Sequence, residues 1–314
     1  MTDHVAATGP PLERRWRPPQ PLSVGLVLAG LRRGSGDPTY RRDPDGTVWR
    51  GVRTPAGPAT LRLRQRLAEV DASAWGPGAG WLLDSVPAMC GGLDDPREFR
   101  PRHPAVQLAA RLHPGWRVPR TGLVLEALIP AIIEQKVTGE EAFAGYRTLV
   151  HRFGERAPGA GAARGLWVPP SALAWTRIPS WEWLRAAVDG ARSRAAVQAA
   201  GAAGRLEECA SMSGPDAERR LRVIPGIGRW TAAEVRQRAL GDADAVSFGD
   251  YHVAKNIGWA LVGEEVDDDG MAELLEPYAG HRFRVQRLLE LAGVGRPRRG
   301  PRMAPRRHLP GRYA

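Results

Sequence analysis

The pattern of apolar and polar residues divides the sequence into a strand-like part and a longer helical part. Between residues 22 and 100, Thr47 to Thr54 alternates, a Pro55-Ala56-Gly57 turn follows, and Ala59 to Leu63 is placed to return as the partner strand. We assign the apolar run Ser23 to Leu28 to the same strand-forming region. The pattern predicts a small antiparallel sheet near the N-terminus.

Beyond residue 122 the apolar residues recur at helical spacing, and Pro130 lies within the first such stretch, where it predicts a kink or a helix start. Further helices are predicted over 185–209, 253–261 and 271–292. The fold class is therefore mainly α with a smaller α+β part. The two clearest apolar stripes consist of Val124, Leu125, Leu128, Ile129, Ile132 and Ile133, and of Phe143, Tyr146, Leu149, Val150 and Phe153.

The stretch from Leu221 to Thr231 predicts a tight hairpin between two helices. Ser213 and Asp216 stand at capping-box spacing before it, and Gly241 can end the second helix. Gly226 and Gly228 lack a Cβ atom, so the turn can adopt backbone angles closed to other residues and bring its amides close to a partner. The free N–H groups that begin the second helix are suited to bind an anion such as phosphate.

Charge and composition add a preference for nucleic acid. The formal net charge is +11, and only two of the 45 basic residues are lysines, Lys136 and Lys255. A basic balance favours nucleic acid or another polyanion, whereas an arginine-biased composition with a solvated tail gives the same sum. The tail from Arg296 to Ala314 contains seven arginines and no acidic residue.

The two cysteines, Cys90 and Cys209, do not form a closely spaced pair, so no zinc site, redox pair or disulfide framework follows. The start of the chain, Met1 to Pro21, is polar and rich in proline, and no apolar run reaches the length of a membrane span. We expect a cytoplasmic protein, associated with the nucleoid in a bacterium.

Two segments carry a resemblance to a known family. Pro225-Gly226-Ile227-Gly228-Arg229-Trp230-Thr231-Ala232, followed by Gly249-Asp250-Tyr251, resembles the helix-hairpin-helix, Gly/Pro and Asp superfamily of DNA glycosylases, and within it the 3-methyladenine DNA glycosylase II branch. The resemblance runs from about Gly122 to Leu291. It implies a helical glycosylase domain preceded by a small antiparallel-sheet domain that is similar to the TATA-binding fold.

The expected domain organisation combines these signals. We expect a disordered N-terminus over 1–20, a small α/β domain over 21–115, the helical glycosylase domain over 116–295 and a basic disordered tail over 296–314. No cofactor is expected. Some relatives carry an iron–sulfur cluster on a four-cysteine loop, which two cysteines cannot form.

Asp250 stands directly before the predicted helix 253–261. An aspartate in this position is commonly an N-cap, and the resemblance implies that it is the catalytic carboxylate; the two roles can coexist. Cleavage of an N-glycosidic bond builds positive charge on the deoxyribose, which a fixed carboxylate can stabilise. An alkylated purine is already cationic, so one carboxylate suffices to expel it.

The resemblance also assigns a base pocket and a mechanism. Members with lyase activity carry a lysine at the position of Trp230, so this chain is expected to be monofunctional and to leave an intact abasic site. Trp230 and Tyr251 are predicted to stack on a flipped base, although Trp230 can instead fill the core. Glu234 and Tyr278 are the other predicted pocket residues.

The resemblance implies DNA contacts from the hairpin and from the turn Glu134 to Thr138, which would enter the minor groove. Lys136 occupies the place of an intercalating wedge there, where a lysine holds phosphate better than it stacks; the alternative is a solvated lysine. No metal site is expected, and the hairpin backbone can hold a monovalent cation as in the family. The predicted DNA-binding residues are Pro225, Gly226, Ile227, Gly228, Arg229, Thr231, Gln135 and Lys136.

The predicted function is a monofunctional DNA glycosylase that flips out and excises alkylated purines of the 3-methyladenine and 7-methylguanine type. The alternatives are a noncatalytic helix-hairpin-helix DNA-binding protein and a glycosylase for a different base lesion. The expected partner is double-stranded DNA with damaged bases, and we expect a monomer that does not associate with membranes.

Overall fold

The computed structural model describes residues 9–297 and contains an antiparallel sheet and a larger set of helices. Five strands lie in the order β1-β5-β4-β3-β2, and every neighbouring pair is antiparallel. The sheet and the mainly helical class are therefore confirmed. The strands are β1 (Leu12–Trp16), β2 (Tyr40–Arg42), β3 (Val48–Thr54), β4 (Gly57–Arg66) and β5 (Glu69–Trp75).

The hairpin predicted from the alternating residues forms β3 and β4, with Val48 opposite Leu63 and the turn at Pro55-Ala56. Helices α1 (Val24–Ala29) and α2 (Ala79–Met89) contribute to the same apolar core. The run from Ser23 to Leu28 is thus a helix and not a strand, because its buried residues Val24, Val27 and Leu28 recur at helical spacing.

The expectation that residues 1–20 are disordered is wrong for β1. Its backbone pairs with β5 along its whole length, from Leu12 opposite Ala74 to Trp16 opposite Val70. The indole of Trp16 packs beside Gly92, where a Cβ would lie 2.7 Å from the ring. The charged composition of this strand conceals the backbone pairing that orders it. Residues 1–8 lie outside the described range.

The helices follow the sheet and bury a second apolar core. They comprise α3 (Pro104–Leu112), α4 (Val124–Ile133), α5 (Gly139–Phe153), α6 (Ala160–Ala163), α7 (Ala172–Thr176), α8 (Ser180–Arg185), α9 (Gly190–Gly201), α10 (Ala203–Glu207), α11 (Gly214–Leu221), α12 (Arg229–Val235), α13 (Val253–Val262), α14 (Asp268–Leu275) and α15 (Arg282–Leu291). Short 3₁₀ turns occur at Glu208–Ser211 and Glu276–Tyr278.

The packing does not follow the boundary expected at residue 115. Helix α3 packs on α13 and α15, so it belongs with the helical part. In the other direction, β6 (Glu155–Arg156) pairs with β7 (Trp167–Val168), and Val168 of β7 packs in one cluster with Trp49 of the sheet. The two parts are therefore joined by crossing segments as well as by the chain itself.

Residues 296 and 297 are the only ones of the predicted tail that the structure describes. Arg296 pairs with Glu265 at 2.9 Å, and its backbone N–H donates to Asn256 at 3.3 Å. The rest of the predicted tail, 298–314, lies outside the described residues. Within residues 9–297, no helix is both long enough and apolar enough to cross a bilayer.

Candidate active site

The predicted hairpin is present between α11 and α12. Helix α11 is capped by Ser213, whose hydroxyl accepts a hydrogen bond from the backbone N–H of Asp216 at 3.3 Å. Helix α12 continues as a π-helical turn over Arg236–Leu240 and ends at Gly241, which is left-handed at φ 72°. The capping signals at both ends of the motif are therefore confirmed.

The two hairpin glycines have different reasons to be glycine. Gly226 has φ +90°, and a Cβ there would lie 3.1 Å from the Cβ of Ala195 on α9. Gly228 has the ordinary backbone angles φ −95° and ψ −177°, and a Cβ there would meet nothing within 4 Å. The fold itself requires only Gly226, and Gly228 leaves open space in front of α12.

Gln135 connects the turn after α4 to the hairpin. Its side-chain amide donates to the carbonyl of Gly226 at 2.9 Å and to the hydroxyl of Thr231 at 2.8 Å. Thr231 is only 2% exposed and Ile227 is also buried, so their side chains stabilise the hairpin from inside. A surface role remains available to Pro225, Gly226, Gly228, Arg229 and Lys136, which are exposed.

Lys136 follows Gln135 at the tip of the same turn and is left-handed at φ +55°. Such a conformation is unfavourable for a residue with a side chain and occurs where the surrounding structure imposes it. The lysine is exposed beside the hairpin to which Gln135 is bonded. Its position is consistent with phosphate contact, and its role as a wedge stays a prediction.

Asp250 lies half-buried at the start of α13. Its Oδ1 accepts hydrogen bonds from the backbone N–H groups of His252 at 2.7 Å and Val253 at 3.1 Å. Its Oδ2 accepts one from the indole N–H of Trp230 at 3.2 Å. The N-cap residue of α13 is His252, so the prediction that Asp250 is itself the N-cap is wrong. The carboxylate instead holds two backbone N–H groups at the entry to the helix and also faces the hairpin exit.

Trp230, like Asp250, is half-buried and not part of the closed core. Its indole N–H is committed to Asp250, which fixes the orientation of the ring relative to the carboxylate. The structure therefore brings together two of the predicted site residues, Trp230 and Asp250.

Glu234 lies one turn after Trp230 and is buried among paired polar groups. Its carboxylate binds Arg238 at 2.6 Å and accepts a hydrogen bond from the hydroxyl of Ser247 at 2.9 Å. Burial alone would lower the pKa of Arg238, but Glu234, with the charges of Glu134 and Glu290, keeps that pKa above its ordinary value. Glu234 joins α12 to the segment that carries Asp250.

Ser247 is the centre of this buried network. Its hydroxyl accepts hydrogen bonds from the amides of Gln237 at 2.8 Å and Gln286 at 3.2 Å, and its backbone N–H donates to Gln286 at 3.2 Å. Gln286 belongs to α15, so three elements meet at one serine. The sequence offered no signal for Ser247 or Gln286, because their partners are distant along the chain.

Phe248 and Gly249, which lie between Ser247 and Asp250, also contact residues outside this loop. The guanidinium of Arg229 lies 4.6 Å from the ring centre of Phe248, which ties the hairpin to the Asp250 loop. Gly249 has φ +83°, and its N–H donates to the carboxylate of Asp268 at 2.8 Å. In the sequence, Glu264 to Asp269 is an acidic cluster of the kind found in solvated loops. Nothing in that cluster indicates that Asp268 binds the backbone of Gly249.

Tyr251 lies beside Asp250 in sequence but is 71% exposed. The ammonium of Lys255 lies 4.2 Å from its ring centre, and the ring of His252 packs edge-on at 4.9 Å. A base would have to displace Lys255 to stack on that face of the ring. The assignment of Tyr251 to a base pocket stays a prediction.

Tyr278 was predicted as a further wall, but its contacts lie elsewhere. It is 3% exposed in the core shared by α3 and the last helices, and it packs on Phe99 at 6.3 Å between ring centres. Its hydroxyl contacts the Nδ1 of His103 at 2.6 Å and accepts the backbone N–H of the same residue at 3.0 Å. Tyr278 stabilises the start of α3, because its buried hydroxyl needs hydrogen-bond partners and finds them at His103.

A cavity of about 250 Å³ lies between α13 and α15, and Val253, the first residue of α13, is part of its lining. Val253, which donates to Asp250, and Gln286, which binds Ser247, both contribute to its wall. No aromatic side chain lines it among the described residues. Within residues 9–297, no group of three or more His, Cys, Asp or Glu side chains is arranged to hold a metal ion.

The fold is similar to that of known DNA glycosylases. A 3-methyladenine DNA-glycosylase from Archaeoglobus fulgidus superposes with a TM-score of 0.71 at 18% identity, covering 88% of this chain and 97% of that chain. An 8-oxoguanine glycosylase/lyase from Clostridium acetobutylicum superposes with a TM-score of 0.69 at 13% identity, covering 90% and 99%. No family model and no curated protein sequence matches the chain.

The same Clostridium acetobutylicum protein in complex with double-stranded DNA containing cytosine opposite 8-oxoguanine gives a TM-score of 0.69 at 12% identity, over 90% of this chain and 97% of that chain. At these identities the similarity establishes the fold. The sheet and the helices expected from the resemblance are thus found together, over most of the chain, in these glycosylases.

Proposed function

We propose that the protein is a DNA glycosylase of base-excision repair that hydrolyses the N-glycosidic bond of alkylated purines and leaves an abasic site. The observation that carries the proposal is the hydrogen bond from the indole of Trp230 to Asp250. It joins a fixed carboxylate to the exit of a hairpin suited to phosphate. A protein that only binds DNA has no need of this pairing.

The carboxylate of Asp250 would act on the sugar. As the base leaves, positive charge develops on the deoxyribose, and a carboxylate that is already oriented stabilises it without reorganising. The N–H groups of His252 and Val253 hold one oxygen, and Trp230 orients the other. The same carboxylate can orient the water that attacks the sugar.

Duplex DNA would be gripped beside this carboxylate. Gly228 leaves room for a phosphate to approach the amides at the start of α12, and Arg229 and Lys136 add exposed positive charge on either side. That a protein of the same fold has been seen in complex with double-stranded DNA supports this partner.

The proposal includes a monofunctional mechanism. A lyase needs an amine that attacks the sugar, and Trp230 occupies the position where the resemblance would place that lysine. The ammonium of Lys255 lies over the ring of Tyr251, 4.2 Å from its centre, and this contact would have to break before the side chain could reach a sugar. Water is therefore the proposed nucleophile.

A glycosylase for a neutral lesion is the second candidate, and two observations favour it. Glu234 is already neutralised by Arg238, so it offers no free charge to a cationic purine. The face of Tyr251 that would stack on such a base carries the ammonium of Lys255. Both features reduce the expected preference for a positively charged base and make 8-oxoguanine the first neutral lesion to test.

The test uses the full-length protein and duplexes that carry 7-methylguanine, 3-methyladenine or 8-oxoguanine. Free base is measured by chromatography, and strand cleavage is measured with and without alkali. Release of the methylated bases with cleavage only after alkali would support the proposal. Release of 8-oxoguanine alone would favour the second candidate, and cleavage without alkali would contradict the monofunctional mechanism.

A further inference from the structure

The four residues that end in Asp250 are each held by a different part of the molecule. Ser247 is held by Glu234 and by Gln286, Phe248 by Arg229, and Asp250 by Trp230 and the start of α13. Gly249 is exposed, and its N–H donates to the carboxylate of Asp268 at 2.8 Å.

The contact between Gly249 and Asp268 determines the direction in which the chain enters Asp250. Gly249 is exposed and has φ +83°, so no side chain of its own and no burial fixes its backbone. The N–H of Asp250 donates to the carbonyl of Ser247 at 3.2 Å and closes a turn with the Phe248–Gly249 peptide group at its centre. Without the bond from Asp268 that central peptide group can flip within the turn. Such a rotation would be transmitted to the adjacent carboxylate, whose position relative to the sugar determines the rate.

The segment between α13 and α14 positions Asp268 beside the N–H of Gly249. The connecting segment runs back along α13 and touches it at Gly258, where a Cβ would lie 2.6 Å from the carbonyl oxygen of Glu264 and 2.9 Å from the backbone nitrogen of Val266. The neighbouring Asp267 caps α14 by accepting the N–H of Gly270 at 2.9 Å. Asp267 therefore caps the helix, and the carboxylate of Asp268 accepts the hydrogen bond from Gly249.

We propose that Asp268 is a positioning residue for Asp250 and acts through the N–H of Gly249. The proposal rests on the proposed function, because it assigns Asp268 a role in the reaction of Asp250. The interaction that matters is the hydrogen bond and not the negative charge. An asparagine retains an oxygen that can accept this hydrogen bond, whereas an alanine does not.

Asp269 provides a matched control. It lies on the same turn of α14, is exposed, and has no hydrogen bond or ion pair among the residues that the structure describes. Asp269→Ala therefore removes the same charge from nearly the same place without touching Gly249.

The experiment compares Asp268→Ala, Asp268→Asn, Asp269→Ala and Asp250→Asn with the wild type in the full chain. Single-turnover release of 7-methylguanine from a duplex gives the chemical rate, and the protein-concentration dependence of that rate gives the affinity. We expect Asp268→Ala to slow release on the order of tenfold with affinity within about twofold of the wild type. Asp268→Asn and Asp269→Ala should retain the wild-type rate, and the thermal midpoints of all three variants should match.

A second measurement does not depend on activity. Hydrogen exchange at the amide of Gly249 should accelerate in Asp268→Ala and not in Asp268→Asn or Asp269→Ala, because the bond from Asp268 protects this amide. Wild-type rates in Asp268→Ala, or an equal loss in Asp268→Asn, would overturn the proposal. If the wild type releases none of the three lesions, or Asp250→Asn releases base normally, the proposed function itself fails.

Discussion

Gly226 and Gly228 show how one motif can contain a glycine that the fold requires and another that the fold does not require. Gly226 has a positive φ and abuts Ala195, whereas Gly228 has ordinary angles and open space around the position of a Cβ. The sequence predicted that both glycines matter but gave them the same reason. Only the backbone angles separate the two.

This difference gives a prediction at the scale of single residues. Gly228→Ala should leave the thermal midpoint unchanged and weaken duplex binding, because the new methyl group occupies the space in front of the amides of α12. Gly226→Ala should lower the free energy of unfolding by about 1–2 kcal/mol, since alanine is strained at a left-handed position. Thermal unfolding and fluorescence anisotropy with a duplex would measure both effects. Equal affinity of Gly228→Ala and wild type would contradict a phosphate contact at this point.

The resemblance assigned Trp230 and Asp250 to one site, and their side chains are hydrogen-bonded, but it did not give the contacts of the neighbouring residues. Glu234, predicted to meet a base, is instead paired with Arg238 and Ser247. Tyr278 lies in another part of the core. The partner of Tyr278, His103, is far along the chain, where periodicity and spacing cannot reveal it. The i,i+4 spacing of Glu234 and Arg238 was visible in the sequence, but the burial that keeps the pair away from a base was not.

At the scale of elements, helix α4 shows what local signals omit. Its apolar stripe predicted the helix correctly, yet Leu123 at its N-cap supplies no capping oxygen. The carboxylate of Glu207 does so instead, accepting the N–H groups of Val124 at 2.8 Å and Leu125 at 2.9 Å. Burial raises the pKa of Glu207 even though these N–H groups and the positive end of α4 act in the opposite direction.

We therefore predict that Glu207→Ala lowers the free energy of unfolding by about 1–2 kcal/mol, the loss typical of a helix cap. Its exposed neighbour Glu208, which pairs with Arg220 at 3.0 Å, is the matched control. Glu208→Ala should cost less than about 1 kcal/mol. Urea denaturation of both variants measures the two losses in the free energy of unfolding. Equal losses would show that Glu207 does not stabilise α4 as a cap.

The predictions for strand β1 and helix α1 were both wrong, and each failed for a different reason. The arginines of β1 predicted disorder, but a strand needs only its backbone and a partner edge, which β5 supplies. The run of α1 is short and apolar, and in so short a run the strand and helix patterns overlap.

At the scale of the whole molecule, buried ion pairs connect the N-terminal part, which contains the sheet, to helix α4 and the residue after it. Arg50 of β3 is bonded to Glu126 of α4, and Arg33 pairs with Glu134 at 2.9 Å. Arg50 is 4% exposed, and one carboxylate oxygen of Glu126 is buried without a hydrogen-bond partner among the described residues. The charge of Arg50 is therefore what makes the burial of Glu126 tolerable.

Arg50→Met should destabilise the protein by about 3–5 kcal/mol, because it leaves Glu126 buried without its partner. The double variant Arg50→Met with Glu126→Leu should recover most of that loss, since no charge then remains to be solvated. Guanidinium denaturation of the two single variants and the double variant measures the coupling. Additive losses would contradict a direct dependence of one charge on the other.

The fold class was predictable because two strong local patterns, the β3–β4 hairpin and the helical stripes, occupy separate parts of the sequence. The boundary between the N-terminal sheet part and the helical part was not predictable from these patterns. Helix α3 and the strands β6 and β7 cross between them through contacts with residues more than a hundred positions away. Such contacts depend on the completed packing and leave no mark in the local pattern.

The most direct test of the proposed mechanism is the single-turnover rate of base release by Asp250→Asn, measured with duplex affinity on the same lesion. Asparagine keeps the size of the side chain and an oxygen that can accept the N–H groups of His252 and Val253, but it removes the charge. We predict a loss of rate on the order of a hundredfold or more with affinity within about twofold of the wild type. Base release at the wild-type rate would contradict a catalytic role for this carboxylate.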